Sequence, residues 1–140
     1  MARQRTVDID GSKIIMADDD RIVRRIVVAK LSGLGYEMRE AEDGQEALDL
    51  LEGGEVPDLL ITDSLMPRMN GLELVRSIRN SPDGDLSTLP VIMLTSRQSE
   101  RDVIEGLETG LDDYVTKPFS PDELVARVRT VLWRRRRDRG

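Results

Sequence analysis

Short apolar segments of this sequence end on residues that can do chemistry. Asp18, Asp19 and Asp20 follow Ile14-Ile15-Met16-Ala17, and Asp63 follows Leu59-Leu60-Ile61-Thr62. Thr95 closes Val91-Ile92-Met93-Leu94, and Lys117 follows Tyr114-Val115-Thr116. Carboxylates held within a few ångströms repel and raise one another's pKa unless a cation intervenes. The chain has no histidine and no cysteine, so the site offers only oxygen and selects a hard ion, Mg²⁺ or Mn²⁺ before zinc. A protonated lysine cannot ligate that ion, but it can pair with a carboxylate or an incoming phosphoryl oxygen. A threonine hydroxyl can donate to another such oxygen. Together these groups fit phosphoryl transfer to an aspartate, with metal and lysine neutralising charge while a carboxylate attacks in line. Taken singly, Asp20 fits a helix N-cap, Asp63 a turn residue, Thr95 a strand-end hydroxyl and Lys117 an exposed lysine. Their coincidence at strand ends is what points to a site.

The elements that must position them alternate. After the first apolar run, Ile22, Val23, Ile26, Val27, Lys30, Leu31 and Leu34 follow at i, i+3, i+4 spacing, predicting a helix with that face inward. Asp20 is its expected N-cap, and Gly33 or Gly35 its stop. Tyr36 to Ala41 reads as a charged edge strand. Asp43-Gly-Gln-Glu46 has the spacing of a capping box before Ala47, Leu48, Leu50 and Leu51. Asn70-Gly71 alone suggests a hairpin, but Glu73 and the helical spacing of Leu72, Leu74, Val75 and Ile78 favour a helix cap. Residues 80–89 read as a polar loop. A fourth helix is expected near 98–109, ending at Gly110, and a fifth is opened by the capping box Ser120-Pro-Asp-Glu123. Five strand–helix repeats with short connections imply a parallel sheet with helices on both faces. Ligands in such a sheet sit at the carboxyl ends of the strands, where the reactive residues fall.

Composition narrows the functions. At 140 residues with 39% hydrophobic content, one domain with its own core is expected. No apolar run is long enough to span a membrane, and residues 1–12 lack the apolar region of a secretory signal and read as a mobile arm. Absent cysteine excludes disulfides and thiolate chemistry; absent histidine excludes Ser-His-Asp triads and a phosphohistidine carrier. Residues 134–140 hold five basic groups and one acidic, leaving 16 basic and 26 acidic on the rest. Such an acidic body suits hard cations or basic partners. The arginine run lacks aromatics and a recognition fold, so a solvated helix end is expected rather than direct nucleic-acid binding.

Five motifs occur in order: Lys13-Ile-Ile-Met-Ala-Asp-Asp-Asp20, Pro57-Asp-Leu-Leu-Ile-Thr-Asp63, Ser64-Leu-Met-Pro-Arg-Met-Asn-Gly71, Leu94-Thr95-Ser96 and Asp113-Tyr-Val-Thr-Lys-Pro-Phe119. In these motifs the chain resembles the receiver (CheY-like) domain of two-component response regulators, over about residues 12–134. The resemblance implies a flavodoxin-like, doubly wound α/β fold, (βα)5, with parallel strands in order 2-1-3-4-5. It implies that Asp63 is the phosphoacceptor, that Asp19 and the Leu65 backbone carbonyl join Asp63 on Mg²⁺, and that Asp18 acts through water. Mn²⁺ is an acceptable substitute. Thr95 would be the switch hydroxyl, Lys117 the lysine contacting phosphoryl, and Tyr114 the aromatic that swings in behind Thr95. The face formed by the fourth helix, fifth strand and fifth helix would respond. The Lys117-Pro118 bond is a cis candidate.

The implied partner is a sensor histidine kinase or phosphotransfer protein, the location cytoplasmic, and the role that of a signalling domain rather than an enzyme. Asp113, Glu123 and Arg127 match a face through which some such receivers form homodimers on activation, although Val103 stands where a basic partner for Glu123 is expected. Leu65 and Arg97 flank the route of attacking water and would tune phosphate lifetime. The domain is expected over 13–134, with 135–140 a basic tail or the start of a linker. Competing readings are an aspartyl-phosphate phosphatase of the haloacid-dehalogenase type, a flavodoxin carrying FMN, and a receiver-like scaffold used without phosphorylation. The first wants a second acid where Asp63-Ser64-Leu65 has none. The second needs hydroxyls and amides where Asp18-Asp19-Asp20 would repel phosphate.

Overall fold

The computed structural model describes residues 11–96, 105, 106 and 108–139. Its strands are β1 (Lys13–Ala17), β2 (Glu37–Ala41), β3 (Leu59–Asp63), β4 (Val91–Thr95) and β5 (Asp113–Thr116). Its helices are α1 (Arg21–Ser32), α2 (Gly44–Glu52), α3 (Gly71–Arg79), α4 (Gly84–Ser87) and α5 (Pro121–Arg139). The strands form one parallel sheet in the order β2-β1-β3-β4-β5. Successive side chains in a strand point to opposite faces, and the core divides accordingly. Ile14, Met16, Leu59, Ile61, Ile92 and Leu94 pack with Val27 and Leu31 of α1 and with Leu124 and Val128 of α5. Ile15, Ala17, Leu60, Val91 and Met93 pack with Ala47 and Leu51 of α2 and with Leu74, Val75 and Ile78 of α3. β3 and β4 are buried along their whole length, as strands covered on both faces must be, whereas β2 is the charged edge.

Local chemistry sets the helix starts. The Asp20 carboxylate accepts from the N–H groups of Ile22 and Val23, as expected of an N-cap. Asn70 and Glu73 form a reciprocal capping box, so the helix reading of Asn70-Gly71 holds. At α2 the Asp43 carboxylate accepts from Glu46 N–H, but the Glu46 carboxylate accepts from Glu42 N–H rather than from the cap residue itself. Ser120 Oγ accepts from Asp122 and Glu123, with Pro121 as first helical residue.

Two features differ from the sequence expectation. Ile22 and Ile26 lie on the exposed side of α1, 72% and 48% accessible, while Arg24 is buried. The helix is turned by Arg24, whose guanidinium is drawn inward to the Asp18 carbonyl and the Glu40 carboxylate. Residues 80–89 include the one-turn helix α4, capped by Asp83 and pinned by the buried side chains of Leu86 and Leu89. The arginine run continues α5 to Arg139, the helix end expected of it. Most of the expected fourth helix, residues 98–104 and 107, lies outside the described residues, as do residues 1–10, 97 and 140; positions 105, 106, 108 and 109 are helical, and Gly110 has φ of +100°.

Candidate functional site

The site occupies the carboxyl end of the sheet. β1 runs straight into Asp18, whose side chain is fully buried and whose N–H donates to the Ala41 carbonyl at 3.1 Å. Its Oδ1 accepts from Asp20 N–H at 2.9 Å, and Arg24 Nη1 holds its backbone carbonyl at 2.8 Å. β3 delivers Asp63, whose Oδ1 accepts from Ser64 N–H at 2.8 Å. Beyond it the chain doubles back sharply: Gly71 N–H donates to the Ser64 carbonyl at 3.0 Å, and a Cβ on Gly71 would collide with the Asp63 carbonyl. Arg68 adopts the left-handed conformation, φ 67°, and grips the Asp43 carboxylate with two hydrogen bonds of 3.0 and 3.1 Å. That pair ties the β3–α3 loop to the start of α2.

Carboxylate oxygens of Asp18, Asp19 and Asp63 all lie within 4.8 Å of one another. Lys117 Nζ is 3.0 Å from Asp18 Oδ2 and 3.5 Å from Asp63 Oδ1. Burial, then the neighbouring Asp18 charge, pushes the Asp63 carboxyl up to about 6, with Lys117 and the Ser64 N–H opposing. Burial works against the Lys117 ammonium too, but Asp18 and then Asp63 outweigh it and hold its pKa above the ordinary lysine value. Thr95, fully buried at the end of β4, accepts Lys117 N–H on its backbone carbonyl at 2.8 Å. Three acids against one ammonium leave an excess of negative charge, and the donors are all hard oxygens. This set fits a small divalent cation of the Mg²⁺ class.

Residues 14–129 match the family described as the response regulator receiver domain. The chain belongs to that family. It is 43% identical over 128 residues to the response regulator MprA of Mycolicibacterium vanbaalenii, covering 91% of this chain and 53% of that protein. The chain spans about half the length of the curated relatives it matches. Among solved structures, the receiver domain of the Francisella response regulator 1452 superposes with a TM-score of 0.79 at 36% identity, covering 88% of this chain and 98% of that one. The chemotaxis protein CheY4 of Vibrio cholerae gives 0.78 at 32% identity, covering 86% and 98%. The five parallel strands in order 2-1-3-4-5, with helices on both faces, are this CheY-like, flavodoxin-like fold.

This receiver thus gathers Asp18, Asp19, Asp63 and Lys117 directly, and reaches Thr95 through Ser64. Leu65 follows in the loop with an exposed side chain. Tyr114 is half-buried on β5, where a Cβ on Gly106 would meet its ring at 3.6 Å. The Lys117–Pro118 bond is cis. Asp113, Glu123 and Arg127 come together within the chain: Arg127 Nη1 is 3.1 Å from both Asp113 oxygens, and Nη2 is 3.3 Å from Glu123. Arg97 and Val103 lie outside the described residues. No helix among the described residues is long and apolar enough to cross a membrane.

Two participants escaped the sequence reading. Arg24 shares the 24, 27, 31 stripe with Val27 and Leu31, a signal of burial that its charge concealed. Ser64 sits directly after Asp63 and places its Oγ 2.6 Å from Thr95 Oγ1; a hydroxyl in a loop gives no periodic signal.

Proposed function

We propose that this receiver accepts a phosphoryl group on Asp63 from the phosphohistidine of a sensor histidine kinase or phosphotransfer protein. The observation that carries this reading is the convergence of Asp18, Asp19 and Asp63, with carboxylate oxygens within 4.8 Å of one another, and of Lys117, 3.0 and 3.5 Å from Asp18 and Asp63. An Asp63 carboxylate oxygen attacks phosphorus, the P–N bond breaks, and its electron pair stays on the imidazole. Asp19, Asp63 and the Leu65 carbonyl would hold Mg²⁺, with Mn²⁺ tolerated and Asp18 acting through water. The bound ion supplies charge neutralisation for the phosphoryl oxygens. Lys117 is already poised between Asp18 and Asp63, and its ammonium can turn to a phosphoryl oxygen. Thr95 donates to another, and Tyr114 follows behind it. Leu65 and Arg97 tune water attack on the acyl phosphate.

The domain assists its own phosphorylation and hydrolysis without turning over a separate substrate, and acts in the cytoplasm. Residues 13–134 form the signalling body, and 135–140 are a basic tail or the start of a linker. Asp113, Glu123 and Arg127 are proposed to lie on a face that pairs with a second copy on activation, exchanging internal for intersubunit ion pairs.

Incubation with Mg²⁺ and acetyl phosphate, followed by intact mass, should show one phosphoryl group. The adduct should vanish in Asp63→Asn and with a chelator. A folded wild-type protein that takes no phosphoryl from any donor would sink the reading. Light scattering with and without beryllofluoride tests the paired state, and a monomer under both conditions counts against it.

A further inference from the structure

Ser64 touches both halves of the phosphorylation switch. Its N–H donates to Asp63 Oδ1 at 2.8 Å, and its hydroxyl stands 2.6 Å from Thr95 Oγ1, a short contact for two neutral hydroxyls. Its backbone is fixed on both sides, since the N–H also approaches the Leu94 carbonyl at 3.1 Å and the Ser64 carbonyl accepts from Gly71. A serine so held cannot drift from Thr95 without breaking the turn that places Asp63.

A hydroxyl carries one proton and two acceptor lone pairs. Once Thr95 gives its proton to a phosphoryl oxygen, the Ser64–Thr95 bond survives only with Ser64 as the donor. The Ser64 hydroxyl rotor can turn its own proton toward Thr95. A hydrogen bond received by Thr95 polarises its O–H and strengthens the bond it donates. Thr95 is fully buried and Ser64 half-buried, so water competes poorly for the Thr95 hydroxyl.

We propose that Ser64 is a positioning residue: by donating to Thr95 Oγ1 it turns the Thr95 proton toward the phosphoryl group on Asp63 and stabilises the phosphorylated state. This rests on Asp63 being the phosphoacceptor. The opposite role, a latch that holds Thr95 away from the phosphoryl group, uses the same contact but has the opposite consequence on removal.

The test is the affinity for beryllofluoride with Mg²⁺, measured for wild type, Ser64→Ala, Ser64→Thr, Thr95→Val and the double variant Ser64→Ala/Thr95→Val. Loss of one supporting hydrogen bond should weaken binding about five-fold in Ser64→Ala. Ser64→Thr should restore most of it, a rescue that bulk packing alone does not predict. In the Thr95→Val background, Ser64→Ala should change nothing further, because the effect is routed through the Thr95 hydroxyl. Unchanged or tighter binding in Ser64→Ala would overturn the proposal, and tighter binding would establish the latch. An equal loss in both backgrounds would overturn it as well. Wild type that folds but binds no beryllofluoride would instead overturn the phosphoacceptor reading on which it stands, and the proposal with it.

Discussion

At the amino end of β4 and β5, Arg79 reaches in from α3. Its Nη1 meets the Ser87 and Leu89 carbonyls at 3.1 and 2.7 Å, its Nη2 meets Gly110 at 2.7 Å, and Asp112 stands 3.5 Å away. At the carboxyl end of the same sheet, Lys117 reaches in from the loop after β5 and finds Asp18 and Asp63, with Asp19 beside them. Both cations are partly buried, but their surroundings differ. Arg79 faces three neutral carbonyls and one carboxylate, so its donors are matched and its charge is balanced. Lys117 faces more negative charge than it can neutralise. Burial without surplus charge makes a clasp; burial with surplus charge makes a site that wants a cation or a proton.

The contrast can be broken from either end. The largest effect should come from Arg79→Ala. It leaves the carbonyls of Ser87, Leu89 and Gly110 without their donor, at a cost of about 3 kcal/mol in urea unfolding. Arg79→Lys should recover only part, since one ammonium cannot reproduce the planar fork. Phosphoryl acceptance by the folded fraction should be unchanged in both.

Opposite in sign and somewhat smaller is Asp63→Asn. The Asp63 carboxyl titrates at about 6 in the folded chain against an ordinary 3.8, so between those values the folded state holds a proton that the unfolded state has released. The stabilisation that protonation gives is therefore complete below the ordinary carboxyl pKa and is lost as pH rises through the folded value. A displacement of this size corresponds to about 3 kcal/mol, and the variant also forgoes the Lys117 contact. We expect Asp63→Asn to gain about 2 kcal/mol at neutral pH without metal. Near pH 4 the gain should disappear, and urea curves at the two pH values decide it.

This contrast also explains how far the sequence could be read. The strand ends carrying Asp18, Asp63, Thr95 and Lys117 were legible because each follows a short apolar run that must be buried, and the sheet order follows from the family resemblance they carry. Arg79 was not legible as a clasp. A basic residue in the last turn of a helix has a sufficient local explanation in the helix dipole, and its carbonyl partners come from loops without side-chain signals. Arg24 was concealed in the same way, and its inward pull turned Ile22 and Ile26 outward against the apolar pattern. Hydrophobic periodicity cannot register a polar side chain drawn into the interior by hydrogen bonds. Ser64 lay beyond it because it sits in a loop, where no period exists to be read.

A smaller effect sharpens the contrast through metal. Mg²⁺ at ten times its dissociation constant should raise wild-type stability by about 1.4 kcal/mol. Arg79→Ala should retain the full increment, because the clasp is not part of the ion's surroundings. Asp63→Asn should lose most of it, because one of the three converging carboxylates is gone. Thermal melts with Mg²⁺ and with chelator measure both. Equal increments in the two variants would mean that the ion binds elsewhere.

The smallest effect is expected at a third ion pair, Lys13 with Glu55, at the amino end of β1. Its 2.9 Å separation is as short as that of Lys117 and Asp18, yet the two side chains are 42% and 74% accessible. Water screens the attraction, and ordering two long side chains offsets what remains. Glu55 also raises the Lys13 pKa through its hydrogen bond and charge. That says the pair forms, not that it holds the fold. Lys13→Gln should leave the urea midpoint, the Mg²⁺ increment and phosphoryl acceptance at their wild-type values. A clear loss of stability would show that distance rather than burial sets the worth of a charged pair here, and the distinction between clasp and site would have to be redrawn.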